Sequence, residues 1–358
     1  MRVALAIGDA GGVGPELAAR VLADEIHHAN DTIVIGDRRL LERGARDAGV
    51  TLDLPTVTLD ALSETLPQGT FMVDLGNCDP AAVPQGESSA AGGRAALQNF
   101  RAALRVCHAG IADVCFFTPF NKHAMRLALP RYVDEIGFID EAVQAERSGR
   151  EFNVLDEVWN ARVTSHVPLK DVVGLLSEQR VFESLQFTDE VMRAAGFEAP
   201  CIGVAALNPH AGDGRNFGDE DEDMLAPAVR RAREAGVDAT GPVPADTVFV
   251  RAVRGEFDAV LTLFHDQGQI AMKLIGFDRG VTLIAGYPFP IVTPAHGTAY
   301  DIAGQGKADT GATTNAVALG RRLAARLPRT RADDATGPPA ASLAEVLRRV
   351  SEPATTAA

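Results

Sequence analysis

Three histidines stand in unusually polar surroundings: His166 in Thr-Ser-His-Val-Pro-Leu-Lys-Asp, His210 in Leu-Asn-Pro-His-Ala-Gly-Asp-Gly, and His265 in Leu-Phe-His-Asp-Gln-Gly. Each closely follows an apolar, strand-like run, at 161–164, 203–207 and 259–264. In open α/β sheets ligands collect beyond the carboxyl ends of strands. Three imidazoles there can hold one divalent ion and leave coordination positions open to a substrate. A lone histidine in such a place more often caps a helix or bonds within a loop; the equivalence of three positions favours the metal. A second signal is the run 294–309, in which Gly297, Gly304 and Gly306 alternate with His296, Thr298, Asp301 and Asp309 without helical or strand periodicity. So many permissive backbone positions beside so many hydrogen-bonding groups suit a loop that wraps a polar, planar ligand. The glycine-rich start at 8–14 could direct backbone N–H groups at an anion from the helix that opens at Pro15. A tight strand-to-helix turn explains it equally well.

Strand-like runs at 3–7, 32–35, 71–75, 114–117, 158–164, 202–206, 259–263 and 281–285 alternate with amphipathic stretches such as 15–26, 90–109, 179–195 and 219–235. That alternation predicts an α/β fold with a largely parallel sheet. The chain has 358 residues, long for one core, so two lobes are expected. One would hold residues 1–120 plus 280–326 and the other 121–279. The Pro-, Ala- and Thr-rich tail at 327–358 reads as a flexible appendage with one amphipathic piece at 343–350.

Hydrophobic residues make up 46% and charged residues 23%, with a net charge of −14. Such an acidic chain is a poor non-specific partner for nucleic acid. The four cysteines, Cys78, Cys107, Cys115 and Cys201, form no CxxC pair and read as buried free thiols. No apolar run approaches membrane length, and no cleavable leader precedes the first strand, so a cytoplasmic location is expected.

The 294–309 run resembles the adenosine-binding loop of the isocitrate and isopropylmalate dehydrogenase superfamily. The three histidine segments, with Gly241-Pro242-Val243-Pro244-Ala245-Asp246-Thr247 and Gly8-Asp9-Ala10-Gly11-Gly12-Val13-Gly14-Pro15-Glu16, resemble the 4-hydroxythreonine-4-phosphate dehydrogenase (PdxA-like) family. The resemblance implies an isopropylmalate dehydrogenase-like, two-lobed α/β fold with mostly parallel sheets and a central cleft. It implies a homodimer whose sites are shared across the interface, with His166, His210 and His265 as metal ligands. Lys273 falls at the family's substrate-binding lysine and Asp246 at an acidic active-site position. His296, Gly297, Thr298, Asp301, Gly304 and Gly306 would hold NAD or NADP, the acidic setting favouring NAD. Zn, Co, Mn, Mg and Ni are not distinguished by this ligand set.

The implied reaction is oxidation of a secondary hydroxyl of an anionic hydroxy acid, with decarboxylation where a carboxylate lies β to the new ketone. The metal would lower the hydroxyl pKa and polarise the ketone, and Lys273 or Asp246 would move protons. Without the resemblance, Lys273 reads equally as a solvated lysine at a helix end and Asp246 as an N-cap. Lys122, Asn121, Glu135, Thr282 and Arg279 are candidates for substrate contact. The departures from the family pattern cluster there. Glu135 and Ile136 stand where the family has His-Thr, Thr282 where it has Asn, and Ile291 where it has Arg. Losing an arginine weakens phosphate or carboxylate recognition. The expected alternatives are therefore an aromatic cis-dihydrodiol carboxylate or a sugar-acid phosphate as substrate, and behind them a non-catalytic ligand-binding member.

Overall fold

Short runs of β-branched and small apolar residues become parallel strands, and the amphipathic stretches between them become crossover helices, in the computed structural model. It describes residues 1–27, 31–58, 67–327 and 343–348. The chain divides into two compact units, residues 1–150 with 284–358, and residues 151–283.

In chain order the first unit begins with β1 (Arg2–Ala6), α1 (Gly14–His27), β2 (Asp31–Gly36), α2 (Arg38–Ala48), β3 (Thr56–Thr58) and β4 (Phe71–Asp74). It continues with α3 (Ala90–His108), β5 (Val114–Phe117), α4 (Lys122–Ala128) and α5 (Glu135–Val143). The chain passes into the second unit within β6 (Arg150–Val154). There follow β7 (Trp159–Arg162), α6 (Leu169–Leu175), α7 (Glu178–Ala195), β8 (Ile202–Ala205), α8 (Ala226–Glu234), β9 (Ala239–Val243), α9 (Ala245–Val253), β10 (Ala259–Thr262) and α10 (His265–Gly276). It returns within β11 (Val281–Ala285) and completes the first unit with β12 (Ile291–Pro294), α11 (Gly311–Ala324) and α12 (Leu343–Arg348).

Strands of the first unit pair in the order β3-β4-β2-β1-β5-β12, all parallel. In the second unit β7-β10-β8-β9 are parallel, with β6 antiparallel on β7. Strands buried on both faces read as continuous apolar runs, as Val3–Ala6 and Val114–Phe117 do. All eight strand-like runs of the sequence coincide with strands.

The division after Arg150 lies later than a boundary near residue 120, because α4 and α5 pack on α3. A Cβ at Gly93 of α3 would stand 1.9 Å from the Ala124 carbonyl oxygen, so only glycine allows that approach. Phe100, Phe117 and Phe120 fill the space beneath, with ring centroids 4.4–5.0 Å apart. Ile291 is fully buried in this core, paired with Cys115 across β12 and β5, so the residue at the expected arginine position is packing. Of the tail expected to be flexible, 343–348 forms α12. Its spacing puts Leu343, Val346 and Leu347 on one face, buried in the same core. Residues 328–342 and 349–358 lie outside the described residues. Cys78, Cys107 and Cys115 are free and buried and Cys201 is free and half-buried; burial pushes the Cys78 thiol up to about 11.

Asp37 shows how loops at the strand ends are held. It caps α2, accepting from the Arg39 amide at 3.0 Å, and accepts the Cys78 amide at 2.8 Å while buried to 1% exposure. Burial by itself would raise its pKa, but the Arg39 guanidinium and the two amides together hold it below the ordinary 3.8. A depressed carboxyl contributes stability above its unfolded-state value and loses it as pH falls through the folded one. Asp37→Ala is expected to cost about 1–3 kcal/mol in chemical denaturation near neutral pH. The gap between wild type and variant should close as pH falls below 3.8.

Candidate functional site

In the second unit the ends of β7 and β10 continue to pair after regular strand stops. The Val163 amide donates to the Thr262 carbonyl at 2.9 Å and the Thr164 amide to the Leu263 carbonyl at 3.1 Å. The Thr164 hydroxyl adds a bond to the same carbonyl at 2.7 Å. This lateral pairing places the segment entering His166 beside the segment entering His265, and the two imidazole rings lie 5.5 Å apart, centroid to centroid. His265 opens α10, and its Nδ1 meets Asp266 Oδ1 at 2.6 Å. That bond fixes which ring nitrogen faces outward.

His210 sits at the end of β8 on a different footing. Its backbone is left-handed, φ 54° and ψ 29°, followed by Ala211 at φ 57°. Its ring packs against Phe217 with centroids 6.3 Å apart, and the side chain is exposed. The segment is held by Asp221, which is fully buried and accepts the Leu207 amide at 2.8 Å and the Asn208 amide at 3.0 Å. Gln267 links two strand ends: its carbonyl accepts the Leu263 amide at 2.8 Å, and its Nε2 donates to the Ala206 carbonyl at 2.8 Å. Sequence reasoning missed Asp221 and Gln267, since a polar residue inside a helical stretch gives no sign that it reaches back to a strand end. Among the described residues of one chain, no three His, Cys, Asp or Glu side chains gather into a metal-ligand set. One chain brings His166 and His265 together and leaves His210 apart.

Asp246 lies in the first turn of α9 and Lys273 in the last turn of α10, both exposed. Asp246 shares its helix face with Val250 and Val253, which are exposed too. Lys273 borders an exposed stripe of Ile270, Leu274 and Phe277, in which Leu274 is 83% accessible. Val167, Leu169 and Val173, just after His166, extend this unburied apolar character.

The substrate-contact candidates are already partnered. Arg279 donates to Glu157 Oε2 at 2.7 Å and to the Ile275 carbonyl at 3.1 Å, so it fastens the end of α10. Thr282 accepts from Asn153 at 3.5 Å. In the first unit Lys122 Nζ lies 3.1 Å from Glu135 Oε2. Asn121 caps α4 by accepting the Ala124 amide at 2.9 Å, which its position before an apolar helical stretch explains.

The first unit carries the glycine-rich loop. β1, β5 and β12 are adjacent and parallel, so the segments 7–13, 118–122 and 295–309 leave the same sheet edge. The Gly8 amide donates to Thr118 Oγ1 at 2.8 Å, and the Val13 amide to the Thr298 carbonyl at 3.0 Å. A Cβ at Gly12 would lie 2.6 Å from that carbonyl oxygen. The start at 8–14 is thus a turn that seats the later loop. Within that loop Gly304 and Gly306 take φ 75° and 66°, Thr298 is buried, Gly297 and Asp301 are exposed, and His296 is half-buried. Tyr300 Oη donates to Asp9 Oδ2 at 2.7 Å. Burial raises the Asp9 carboxyl pKa against the lowering pull of Tyr300 and the Gly11 amide, and burial with the Asp9 charge raises that of the Tyr300 phenol.

Parallel α/β units that carry imidazoles and a glycine-rich loop after their strands belong to the class of α/β proteins in which ligands bind on loops at the carboxyl ends of strands. Within that class, the chain belongs to the family described as pyridoxal phosphate biosynthetic protein PdxA, which matches residues 28–320, and it is a dehydrogenase of that family acting on CH–OH. It is 55% identical over 323 residues to a Rhizobium meliloti protein provisionally named 4-hydroxythreonine-4-phosphate dehydrogenase 2, covering 90% of this chain and 93% of the relative. A crystal structure of 4-hydroxythreonine-4-phosphate dehydrogenase from Klebsiella pneumoniae is similar with TM-score 0.75 and 31% identity, covering 90% of this chain and 98% of the other. A terephthalate 1,2-cis-dihydrodiol dehydrogenase from Burkholderia xenovorans is similar with TM-score 0.61 and 27% identity, covering 90% and 98%. No helix among the described residues is long and apolar enough to cross a membrane.

Asp221→Asn replaces one of two acceptors with a donor facing a backbone amide. It is expected to cost about 1–3 kcal/mol in urea denaturation and to speed hydrogen exchange at the Leu207 and Asn208 amides.

Proposed function

We propose that the protein is a divalent-metal-dependent, NAD(P)-linked dehydrogenase that oxidises a secondary hydroxyl of an anionic hydroxy acid, with decarboxylation where a carboxylate lies β to the new ketone. The observation that carries this reading is the approach of His166 and His265 at neighbouring strand ends, with His265 oriented by Asp266. Two imidazoles would supply part of a divalent site. The rest would come from His210 and a second copy of the chain, so the active form in this reading is a homodimer with shared sites, placed in the cytoplasm. The exposed stripe Ile270, Leu274 and Phe277, with Val250, Val253 and Leu169, supports that reading, because large apolar side chains beside polar site residues suit burial against a partner.

The metal would lower the pKa of the substrate hydroxyl and polarise the ketone, and the dinucleotide would accept hydride. The chain's own part is to orient and to move protons. Asp266 fixes the His265 tautomer, and Lys273 and Asp246 carry protons to and from the substrate. The loop residues His296, Gly297, Thr298, Asp301, Gly304 and Gly306 would hold the dinucleotide, and the exposed acid Asp301 favours NAD over NADP. Zinc is one candidate metal among the divalent ions that imidazole accepts.

Relatives named for a 4-phosphate substrate support a phosphorylated hydroxy acid. A second reading, an aromatic cis-dihydrodiol carboxylate, is favoured by specific pairings. Lys122 is engaged by Glu135 and Arg279 by Glu157, and Ile291 is core, so these positions offer a phosphate little unpaired positive charge. Steady-state NAD+ reduction with 4-phosphohydroxythreonine and with a dihydrodiol carboxylate decides between them through kcat/KM. Turnover of neither would count against both.

Chelation of the metal is expected to lower kcat at least 100-fold, with recovery on adding a divalent ion back. His265→Ala and His166→Ala should lower bound metal, read by elemental analysis, together with kcat. Leu274→Asp with Ile270→Asp should convert a dimer to a monomer in light scattering and reduce activity in parallel. A monomeric wild type with full activity would refute the shared-site arrangement.

A further inference from the structure

We propose that Asp9 and Glu16 form a two-point clasp that sets the position of the 296–309 loop, and that Tyr300 is a positioning residue for the dinucleotide. The proposal rests on assigning that loop to cofactor binding.

Both acids come from one short stretch and are almost inaccessible, at 1% for Asp9 and 2% for Glu16. Asp9 grips the front of the loop: Oδ2 accepts Tyr300 Oη at 2.7 Å while Oδ1 accepts the Gly11 amide at 2.7 Å. Glu16 grips the back: Oε1 accepts the Ala308 amide at 3.0 Å. Arg20 closes that end, donating from Nη2 to Glu16 Oε1 at 3.1 Å and to the Gly306 carbonyl at 2.9 Å. Directly before the front grip the chain is in a form it would not choose alone. Ala299 has φ 43° and ψ 57°, a left-handed conformation costly to a residue with a Cβ. Tyr300 starts the short turn Tyr300–Ile302 directly after it. A phenylalanine at position 300 would fill the same space, so packing alone does not account for the hydroxyl on a buried carboxylate. Asp301 and Gly304, left exposed between the grips, can meet a ligand without the loop being ordered at the moment of binding.

Tyr300→Phe removes one bond to a buried acid and keeps the ring. Gly12→Ala perturbs the same seat independently, since its Cβ would lie 2.6 Å from the Thr298 carbonyl oxygen. With whichever dinucleotide the wild type reduces, both variants should raise its KM about tenfold, equivalent to about 1.4 kcal/mol, and leave kcat within about twofold. Hydrogen exchange at the 296–309 amides of the cofactor-free protein should quicken in both. Unchanged exchange in Tyr300→Phe overturns the clasp. Faster exchange with an unchanged dinucleotide KM overturns the positioning role. A wild type that uses no nicotinamide dinucleotide refutes the assignment of the loop and the role of Tyr300 with it, and the exchange measurement, which needs no cofactor, still judges the clasp.

Discussion

Buried carboxylates that accept backbone N–H bonds hold the segments around the strand ends of this protein. Asp9 accepts from Gly11, Glu16 from Ala308, Asp37 from Arg39 and Cys78, and Asp221 from Leu207 and Asn208. Each is at most 2% exposed. A buried charge is costly unless hydrogen-bonded, and a loop at a strand end has amides that no ladder satisfies. Each need answers the other. The result is loops fixed by polar contacts at the edge where the strands end, where an apolar core cannot reach.

The two units use this device differently. In the first, Asp9 and Glu16 work over nearly three hundred residues of sequence separation, tying the opening turn to the loop after β12. In the second, Asp221 and Gln267 work locally to set the entry to His210 and the end of β10. The first arrangement fixes a loop from a distant part of the sequence. The second leaves imidazoles, a lysine and an aspartate near exposed Ile, Leu, Val and Phe side chains.

Much of this was legible in the chain. Apolar runs such as Val3–Ala6 and Val114–Phe117 announce doubly covered parallel strands, and the three histidines singled out in the sequence follow β7, β8 and β10. Short strands gave less signal. β9 contains a Gly-Pro pair and β12 is four residues ending in proline, so neither shows a period long enough to read. The substrate-contact candidates were harder still. Asn121, Arg279 and Lys122 have the chemistry of ligand contacts, but a cap, a glutamate and a backbone carbonyl engage them first.

The sequence by itself determined the α/β class, the family, and which residue types could bind a metal and a dinucleotide, because these follow from local pattern and motif order. Tertiary structure decided which of them meet. His166 and His265 come together because β7 and β10 pair past their ends, while His210 follows β8 on a left-handed backbone. Ile291 became core because its register sets it against β5. Such outcomes depend on contacts between residues far apart in the chain, which no local period encodes.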